Sequence, residues 1–416
     1  MSLDLDESQR AAISAGVRGL DASAATTKIN GSAGTGKTTI IREVLASGVG
    51  GDAVVLAPTN KAAHVLRSKG IPAQTIHSAL YQPRTVALRE ARKAYREALE
   101  APDLSSDEKA RLAGQLREVE EELEVSPQGE RLGFTLRVPN AVTEYPVVVD
   151  EASMVGGQLY ADLRASTDRG IVLVGDDAQL PPVKDEAVFH SFNAAATLRT
   201  VHRQDAGSPI LEIATLIRAD RLGDAVDLAK SAGVLRPMHE APLRADVQRE
   251  IEICWRNVTR HERNAWHRTG QGRRHWLERG DWLISLRNRG PEFNGSFCRV
   301  LPATSHDWDR VKISGSGWQP APVVRLDYED EEIFRPIAMT AQEGLPGVVP
   351  QRVEARCGWD YAYAVTAHKS QGSEWESVTV IDEWSWADDD PTRAEDRRRW
   401  LYTAITRARE ELIWCQ

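Results

Sequence analysis

A chain of 416 residues, 41% of them apolar, is too long for one ordinary core and calls for two or more domains. No apolar stretch is long enough to span a bilayer, the first 20 residues lack a charged region followed by an apolar one, and the four cysteines lie far apart without a CxxC pair. A membrane span, an export signal, a zinc ribbon and a disulfide framework are therefore not expected, and a reducing cytoplasm suits the chain. The net charge of −9 argues against a uniformly phosphate-binding surface, although a basic groove can still be local.

In chain order, residues 27–30 end a first buried strand. The run Gly31-Ser32-Ala33-Gly34-Thr35-Gly36-Lys37-Thr38 then fits GxxxxGK[ST], ahead of a helix over 39–45. In that setting the glycines let backbone N–H groups turn inward around a polyphosphate, Lys37 reaches the β and γ phosphates, and the Thr38 hydroxyl is placed for Mg²⁺. Apolar runs at 53–57, 147–149 and 171–174 read as further buried strands, each opening into a polar or glycine-containing loop. This is the pattern of an open parallel sheet with functional loops at its carboxyl ends.

Residues 84–145 interrupt the alternation. Leu88, Tyr95 and Leu99, then Leu112, Leu116, Val119 and Leu123, recur at helical spacing on either side of a break at 102–106, which predicts an antiparallel helical hairpin over 86–125. Its first helix carries Arg84, Arg89, Arg92, Lys93 and Arg96, the basic residues suited to touching nucleic acid. Residues 134–138 then alternate as a short strand. The strand 147–149 ends in Asp150-Glu151, where Asp150 would hold Mg²⁺ and Glu151 would orient and deprotonate an attacking water. The strand 172–174 opens into Gly175-Asp176-Asp177-Ala178-Gln179-Leu180-Pro181-Pro182, with Gln179 placed to sense a γ-phosphate.

All twelve tryptophans lie at or after Trp255, so the two halves are different domains. Between Arg249 and Arg279, arginines and histidines interleave with Trp255, Trp266 and Trp276. This reads either as a groove that tracks a single strand or as a solvated helix face with buried tryptophans. Short strands around an Asn294-Gly295 turn imply a small β domain after residue 280.

The runs Asp150-Glu151-Ala152-Ser153-Met154, Gly175 to Val183 and Val365-Thr366-Ala367-His368-Lys369-Ser370-Gln371-Gly372-Ser373-Glu374 closely resemble superfamily 1 helicases, on the 1B branch of the Dda and RecD-like enzymes. The likeness runs from Leu5 to the C-terminus and is weakest in the two inserted regions. It implies an α/β fold of two RecA-like P-loop NTPase domains, the first over 1–83 and 146–195, the second over 196–284 and 360–416. An inserted helical-hairpin and pin domain would occupy 84–145, and an inserted small SH3-like β domain 285–359. It further implies that Gln9 reads adenine, that Gly31, Gly34, Thr35, Gly36, Lys37, Thr38 and Thr39 wrap the nucleotide, and that Arg203 and Arg407 reach the γ-phosphate from the second domain.

By the same resemblance, Pro58, Thr59, Asn60, Lys61 and His77 grip the DNA backbone from the first domain. Asn257, Thr366 and His368 do so from the second, and Phe134 belongs to a strand-separating pin. Arg256 stands where the family pattern has threonine before the asparagine, which leaves the local geometry at Asn257 open. The implied activity is that of a monomeric, cytoplasmic, ATP- and Mg²⁺-dependent helicase moving 5′ to 3′ on single-stranded and forked duplex DNA. The alternatives are an RNA-directed or non-unwinding translocase and, from another class, an ATP-switched binding module. Asp150, Glu151, Gln179, Arg203 and Arg407 together argue against the switch, which has no need of a full hydrolytic set.

Overall fold

The computed structural model describes residues 5–101, 104–125, 133–183, 185–200, 208–274, 277–288, 294–302, 308–313, 317–329, 331–336, 358–384 and 391–416. The first half holds β1 (Thr26–Gly31), β2 (Val54–Ala57), β3 (Ala73–Thr75), β4 (Tyr81–Pro83), β5 (Phe134–Leu136), β6 (Val147–Val149), β7 (Ile171–Gly175) and β8 (Ala194–Leu198). Six of them form a parallel sheet in the order β3-β2-β6-β7-β1-β8, and β4 pairs with β5 as an antiparallel ribbon.

Period-two geometry splits this sheet into two buried faces. Val55, Val148, Val172 and Val174 meet the helices Glu7–Asp21 and Lys37–Ala46 through Ala12, Ile40, Ile41 and Val44. Leu56, Val147, Val149 and Leu173 point the other way, onto Ile76, Leu163 and Phe189. With both faces covered, the central strands need no polar alternation, which is why β6 and β7 read as continuous apolar runs.

The second half holds β9 (Leu235–Arg236), β10 (Glu250–Cys254), β11 (Trp282–Ser285), β12 (Phe297–Val300), β13 (Trp308–Ile313), β14 (Gly317–Tyr328), β15 (Glu331–Pro336), β16 (Trp359–Tyr361), β17 (Ala364–Thr366), β18 (Trp375–Ile381) and β19 (Ala408–Cys415). A parallel sheet runs β17-β10-β18-β19-β9, and an antiparallel one runs β13-β14-β12-β11-β16 with β15 beside β14. Three expected boundaries fall inside strands. Residues 196–198 belong to β8, which pairs with β1, and residues 282–284 and 360–361 belong to β11 and β16, which pair with each other in the antiparallel sheet. Strand membership follows the pairing partner, so the β insertion begins and ends inside segments expected to lie in the second parallel sheet. One loop crosses the division: Ala178 and Leu180, beyond β7, are buried in the core of the second half.

The hairpin forms as the helices Arg84–Leu99 and Ser106–Val125, packed against each other. Leu88 is buried, whereas Tyr95, Leu99, Leu112, Leu116, Val119 and Leu123 are only half-buried. Arg84 pairs with Glu122 at 2.6 Å and Arg96 with Glu120 at 2.5 Å, so two of the five basic residues expected to face nucleic acid are spent within the hairpin.

Part of the basic stretch near Trp255 is likewise turned inward, while Arg256, Arg274 and Arg279 stay exposed. On the helix Asn257–Gly270, Arg260 pairs with Asp360 at 2.5 Å, Arg263 with Glu252 at 2.6 Å and Arg268 with Asp281 at 2.9 Å. These arginines fasten the helix to β10 and to the base of the antiparallel sheet, so they do not line a groove, and Arg263 also covers the exposed ring of Trp266. His275 and Trp276 lie outside the described residues.

Asp281 is fully buried and carries the bidentate bond from buried Arg268. Asp281→Ala strands that guanidinium in the interior, at a cost of about 3–5 kcal/mol. Because every tryptophan lies in the second half, the chemical unfolding transition followed by tryptophan fluorescence reports this loss directly. A loss below about 1 kcal/mol would show that the pair does not hold the two sheets together.

Candidate nucleotide-binding and catalytic cleft

The loop after β1 is shaped by two left-handed glycines, Gly34 at φ 79° and Gly36 at φ 85°. Gly36 precedes the helix Lys37–Ala46, whose N-terminus receives no side-chain cap, so its first N–H groups stand ready for an anion. A Cβ on Gly31 would come within 2.8 Å of Thr35 Oγ1 and 2.9 Å of Leu198 Cδ1, and Gly36 is held to glycine by its positive φ. Lys37 Nζ folds back and donates to the carbonyls of Gly31 (2.9 Å) and Ser32 (3.1 Å).

Gln9 lies behind this loop. Its amide oxygen accepts from the Asp6 N–H at 3.1 Å in a capping box, and its nitrogen donates to the Thr35 carbonyl at 3.4 Å. One end of the amide thus closes the first turn of its own helix and the other braces the phosphate loop, and reading adenine would require exchanging these bonds.

Asp150 and Glu151 follow β6, between β2 and β7. Burial, and then the charge of Glu151, push the Asp150 carboxyl up to about 6, while Lys37 and Lys69 pull it back. Glu151 adopts φ 50°, a left-handed conformation that costs a non-glycine residue energy and aims its side chain out of strand register. Its Oε2 is buried and accepts no hydrogen bond, and the same is true of Gln179 Oε1.

A cleft of about 720 Å³ is lined by Gly34, Gly36, Lys37, Thr38, Thr39, Asp150, Glu151 and Gln179 from the first half and by Ser373, Glu374 and Arg407 from the second. Arg407 is buried, and its guanidinium bonds all go to neutral acceptors: Thr403 O at 3.0 Å, Ser373 O at 3.3 Å and Thr406 Oγ1 at 3.3 Å. Among the described residues this cation has no carboxylate partner, which disposes it to take an anion. Arg203 lies outside the described residues.

The Thr38 hydroxyl and the Asp150 carboxylate are hard oxygen donors in one cleft. A buried carboxylate raised by a second carboxylate is a place where a divalent cation lowers the electrostatic cost. Among the described residues no group of three or more His, Cys, Asp or Glu forms a metal cage. Two protein oxygens suit Mg²⁺, which keeps waters and phosphate oxygens as its other ligands.

The residues expected to grip a strand also follow carboxyl ends of parallel strands. Pro58 and Thr59 follow β2, and Thr59 caps the helix Asn60–Ser68 through the Ala62 N–H at 3.1 Å. Asn60 donates to Asn288 Oδ1 at 3.0 Å, which ties this helix to the β insertion. His77 follows β3, exposed and 5.5 Å from the Tyr81 ring. Asn257 follows β10, Thr366 ends β17, and His368 is half-buried, with its imidazole held below the usual range by burial.

Lys61, on the helix Asn60–Ser68, lines the cleft described above with its amine over the Phe297 ring and lowered by burial. At Arg256, Glu383 accepts from the backbone N–H groups of Trp255 and Arg256 and pairs with the Arg256 guanidinium at 2.5 Å, which fixes the segment that enters the helix at Asn257. Phe134, on β5, is 70% exposed and Val138 89%. Sequence reasoning passed over Lys69, Ser373 and Arg409 as cleft residues, although Ser373 stands within the quoted Val365 to Glu374 run.

A phosphate loop and an acidic strand end on one parallel sheet, facing an arginine from another, define a P-loop NTPase whose site is shared by two α/β halves. Residues 4–240 match the AAA domain family and residues 361–414 the UvrD-like helicase C-terminal domain. The chain belongs to the AAA domain family, and the matches together support a RecD/Pif1-like helicase of superfamily 1B.

The chain is 26% identical over 422 residues to the ATP-dependent RecD2 DNA helicase of Deinococcus radiodurans, covering 92% of this chain and 46% of that protein. It is 29% identical over 308 residues to the RecBCD enzyme subunit RecD of Mycobacterium tuberculosis, covering 66% and 49%. It thus spans about half the length of these curated relatives. The fold is shared with Pif1 helicases solved in a study of unwinding at forked dsDNA (TM-score 0.55, 16% identity, 99% of this chain and 92% of that one). It is also shared with Pif1 from Bacteroides in complex with ADP-AlF3 and ssDNA (TM-score 0.53, 16% identity, 99% and 92%). No described helix is long and apolar enough to cross a membrane.

The raised Asp150 carboxyl has a consequence for stability in the absence of metal and nucleotide. The folded protein keeps this proton up to about pH 6, whereas the unfolded chain releases it near its ordinary value of 3.8, so wild type loses stability as pH rises through this window. Asp150→Asn removes the loss. At pH 7.5 the variant should be the more stable protein, by at most about 3 kcal/mol, and the difference should vanish near pH 4. Unfolding midpoints of both proteins across pH 4–7.5 check this, and equal midpoints at pH 7.5 would contradict it.

Proposed function

We propose that this chain is an ATP-driven DNA helicase or translocase in which two RecA-like domains close on one Mg-ATP and move 5′ to 3′ along a single strand. The observation that carries the proposal is the single cleft that gathers Lys37, Thr38, Asp150, Glu151 and Gln179 from one half and Arg407 from the other. Lys37 exchanges the Gly31 and Ser32 carbonyls for phosphate oxygens. The unsatisfied acceptors Glu151 Oε2 and Gln179 Oε1 take the two protons of the attacking water, which orients its lone pair, and Glu151 accepts one of them as the bond forms. Arg407 moves from its carbonyl partners onto the charge that develops on the transferred phosphoryl group. Mg²⁺, held by Thr38 and Asp150, neutralises phosphate charge when bound.

Closure then depends on the phosphate that hydrolysis removes, and chemistry becomes motion. The DNA strand would run over the carboxyl ends of β2, β3, β10 and β17, gripped by Thr59, Asn60, His77, Asn257, Thr366 and His368 through its backbone and therefore without sequence preference. The antiparallel insertion takes the place of the family's SH3-like module. The exposed Phe134 on the β4-β5 ribbon is the candidate wedge. The direction rests on the RecD-like resemblance of the runs Asp176 to Pro182 and Thr366 to Gly372. Monomeric action in the cytoplasm belongs to the same reading.

The test is unwinding and ATP turnover on duplexes with a 5′ or a 3′ single-stranded tail. Wild type should unwind the 5′-tailed duplex. Lys37→Ala and Glu151→Gln should each lose at least about 100-fold in turnover, with Glu151→Gln still binding nucleotide. Phe134→Ala should keep turnover and lose unwinding. Exclusive use of 3′-tailed duplex would reverse the direction, and turnover within a few-fold of wild type in either active-site variant would remove the site.

A further inference from the structure

The loop after β7 is held at both ends by side chains from the other half of the molecule. At its start the fully buried Asp176 accepts from Arg218 Nη1 at 2.5 Å and from the Tyr402 hydroxyl at 2.7 Å. The Tyr402 oxygen in turn accepts from the backbone N–H of Ala33, in the phosphate loop, at 3.4 Å. At the far end the Leu180 N–H donates to Thr403 Oγ1 at 3.0 Å, and the Leu180 carbonyl accepts from Gln371 Nε2 at 3.2 Å. Gln179 lies between these two fastenings. Arg218 closes the helix Pro209–Arg218, while Tyr402 and Thr403 are neighbours on the helix Pro391–Ile405, just ahead of Arg407.

We propose that Tyr402, with Asp176 and Arg218, is a coupling latch: a set of positioning residues that holds Gln179 in place and transmits the state of the phosphate loop to the second half. The proposal rests on the function argued above and deepens it. A tyrosine hydroxyl has one proton, and here it goes to Asp176, which leaves the oxygen lone pairs to accept from Ala33 N–H and from Arg218 Nη1, each at 3.4 Å. An anion on the phosphate loop competes for N–H groups of that loop, so its arrival alters the one contact of Tyr402 that leads to the nucleotide while leaving the one to Asp176. Burial and the adjacent Asp176 charge raise the Tyr402 phenol, which keeps it protonated and donating. Arg218 neutralises Asp176 from the second half, so that the latch neither strands a buried charge nor leaves the loop free to follow the first half alone.

Tyr402→Phe keeps the ring and its packing and removes only the hydroxyl. The expected result is an unchanged thermal midpoint, a KM for ATP within about twofold of wild type, and a kcat in saturating single-stranded DNA lowered about tenfold. A purely structural role would instead move the midpoint and KM together with kcat. The double variant Tyr402→Phe/Asp176→Asn should lose no more than the worse single variant, and Arg218→Lys should retain more of the DNA-stimulated rate than Arg218→Gln. Thr403→Val, which frees the other end of the loop, gives the same readout should the tyrosine variant misfold. If single-stranded DNA stimulates wild type and Tyr402→Phe equally, the latch is refuted and the proposed function stands. If it does not stimulate wild type at all, both are refuted.

Discussion

The loop between β7 and β8 is covalently part of the first sheet, yet its Ala178 and Leu180 are buried in the core of the second half. Burying a leucine contributes roughly 1.5–3 kcal/mol, and the hydrogen bonds at Asp176 and Leu180 add direction to that attraction. Gln179 is therefore placed by both halves at once. The rest of the cleft depends on this: Lys37, Asp150 and Glu151 are fixed by the first sheet, Arg407 by the second, and the shared loop holds the two sets at one cavity. There Lys37 donates to backbone carbonyls and Arg407 to neutral acceptors, so neither cation is paired with Asp150 or Glu151. A polyphosphate with its cation would supply charge to both sets, as the proposed function requires.

Such a site is costly to the free protein. Asp150 is buried beside a second carboxylate, Glu151 sits in a left-handed conformation, and buried oxygens of Glu151, Gln179, Gln371 and Ser373 go without hydrogen bonds. The surroundings offset this strain. Two parallel sheets, covered by helices, grip the loops at their carboxyl ends, and buried arginine pairs lock the helix Asn257–Gly270 to its neighbours. The same arginines show that much of the positive charge of this stretch is spent on carboxylates inside an acidic chain.

Much of the site was legible in the sequence because its chemistry is local. The phosphate loop and Asp150-Glu151 are contiguous runs whose spacing alone prescribes a turn, a helix start and a strand end. What was not legible is set by partners far along the chain. Tyr402 and Asp176 are 226 positions apart, and neither residue announces the other. The strands at Ala194–Leu198 and Trp282–Ser285 were divided by expected domain boundaries because composition reveals a strand without revealing its neighbour. Charge was similarly misleading. Arginine reads as surface in a sequence, and only the placement of Asp360, Asp281 and Glu252 shows that Arg260 and Arg268 are interior and that Arg263 turns onto a buried carboxylate.

The central claim is that a nucleotide carrying a γ-phosphate draws the two halves together across this cleft. The direct measurement is the distance between spectroscopic labels on cysteines introduced at Val49 and Glu410, exposed positions on the two halves, with Cys357 replaced by serine and the buried Cys254, Cys298 and Cys415 left in place. With Mg²⁺ and a non-hydrolysable ATP analogue the distance should shorten relative to the ADP state, and Arg407→Ala should abolish the change. Equal distances with the ATP analogue and with ADP in the wild-type protein would contradict the account.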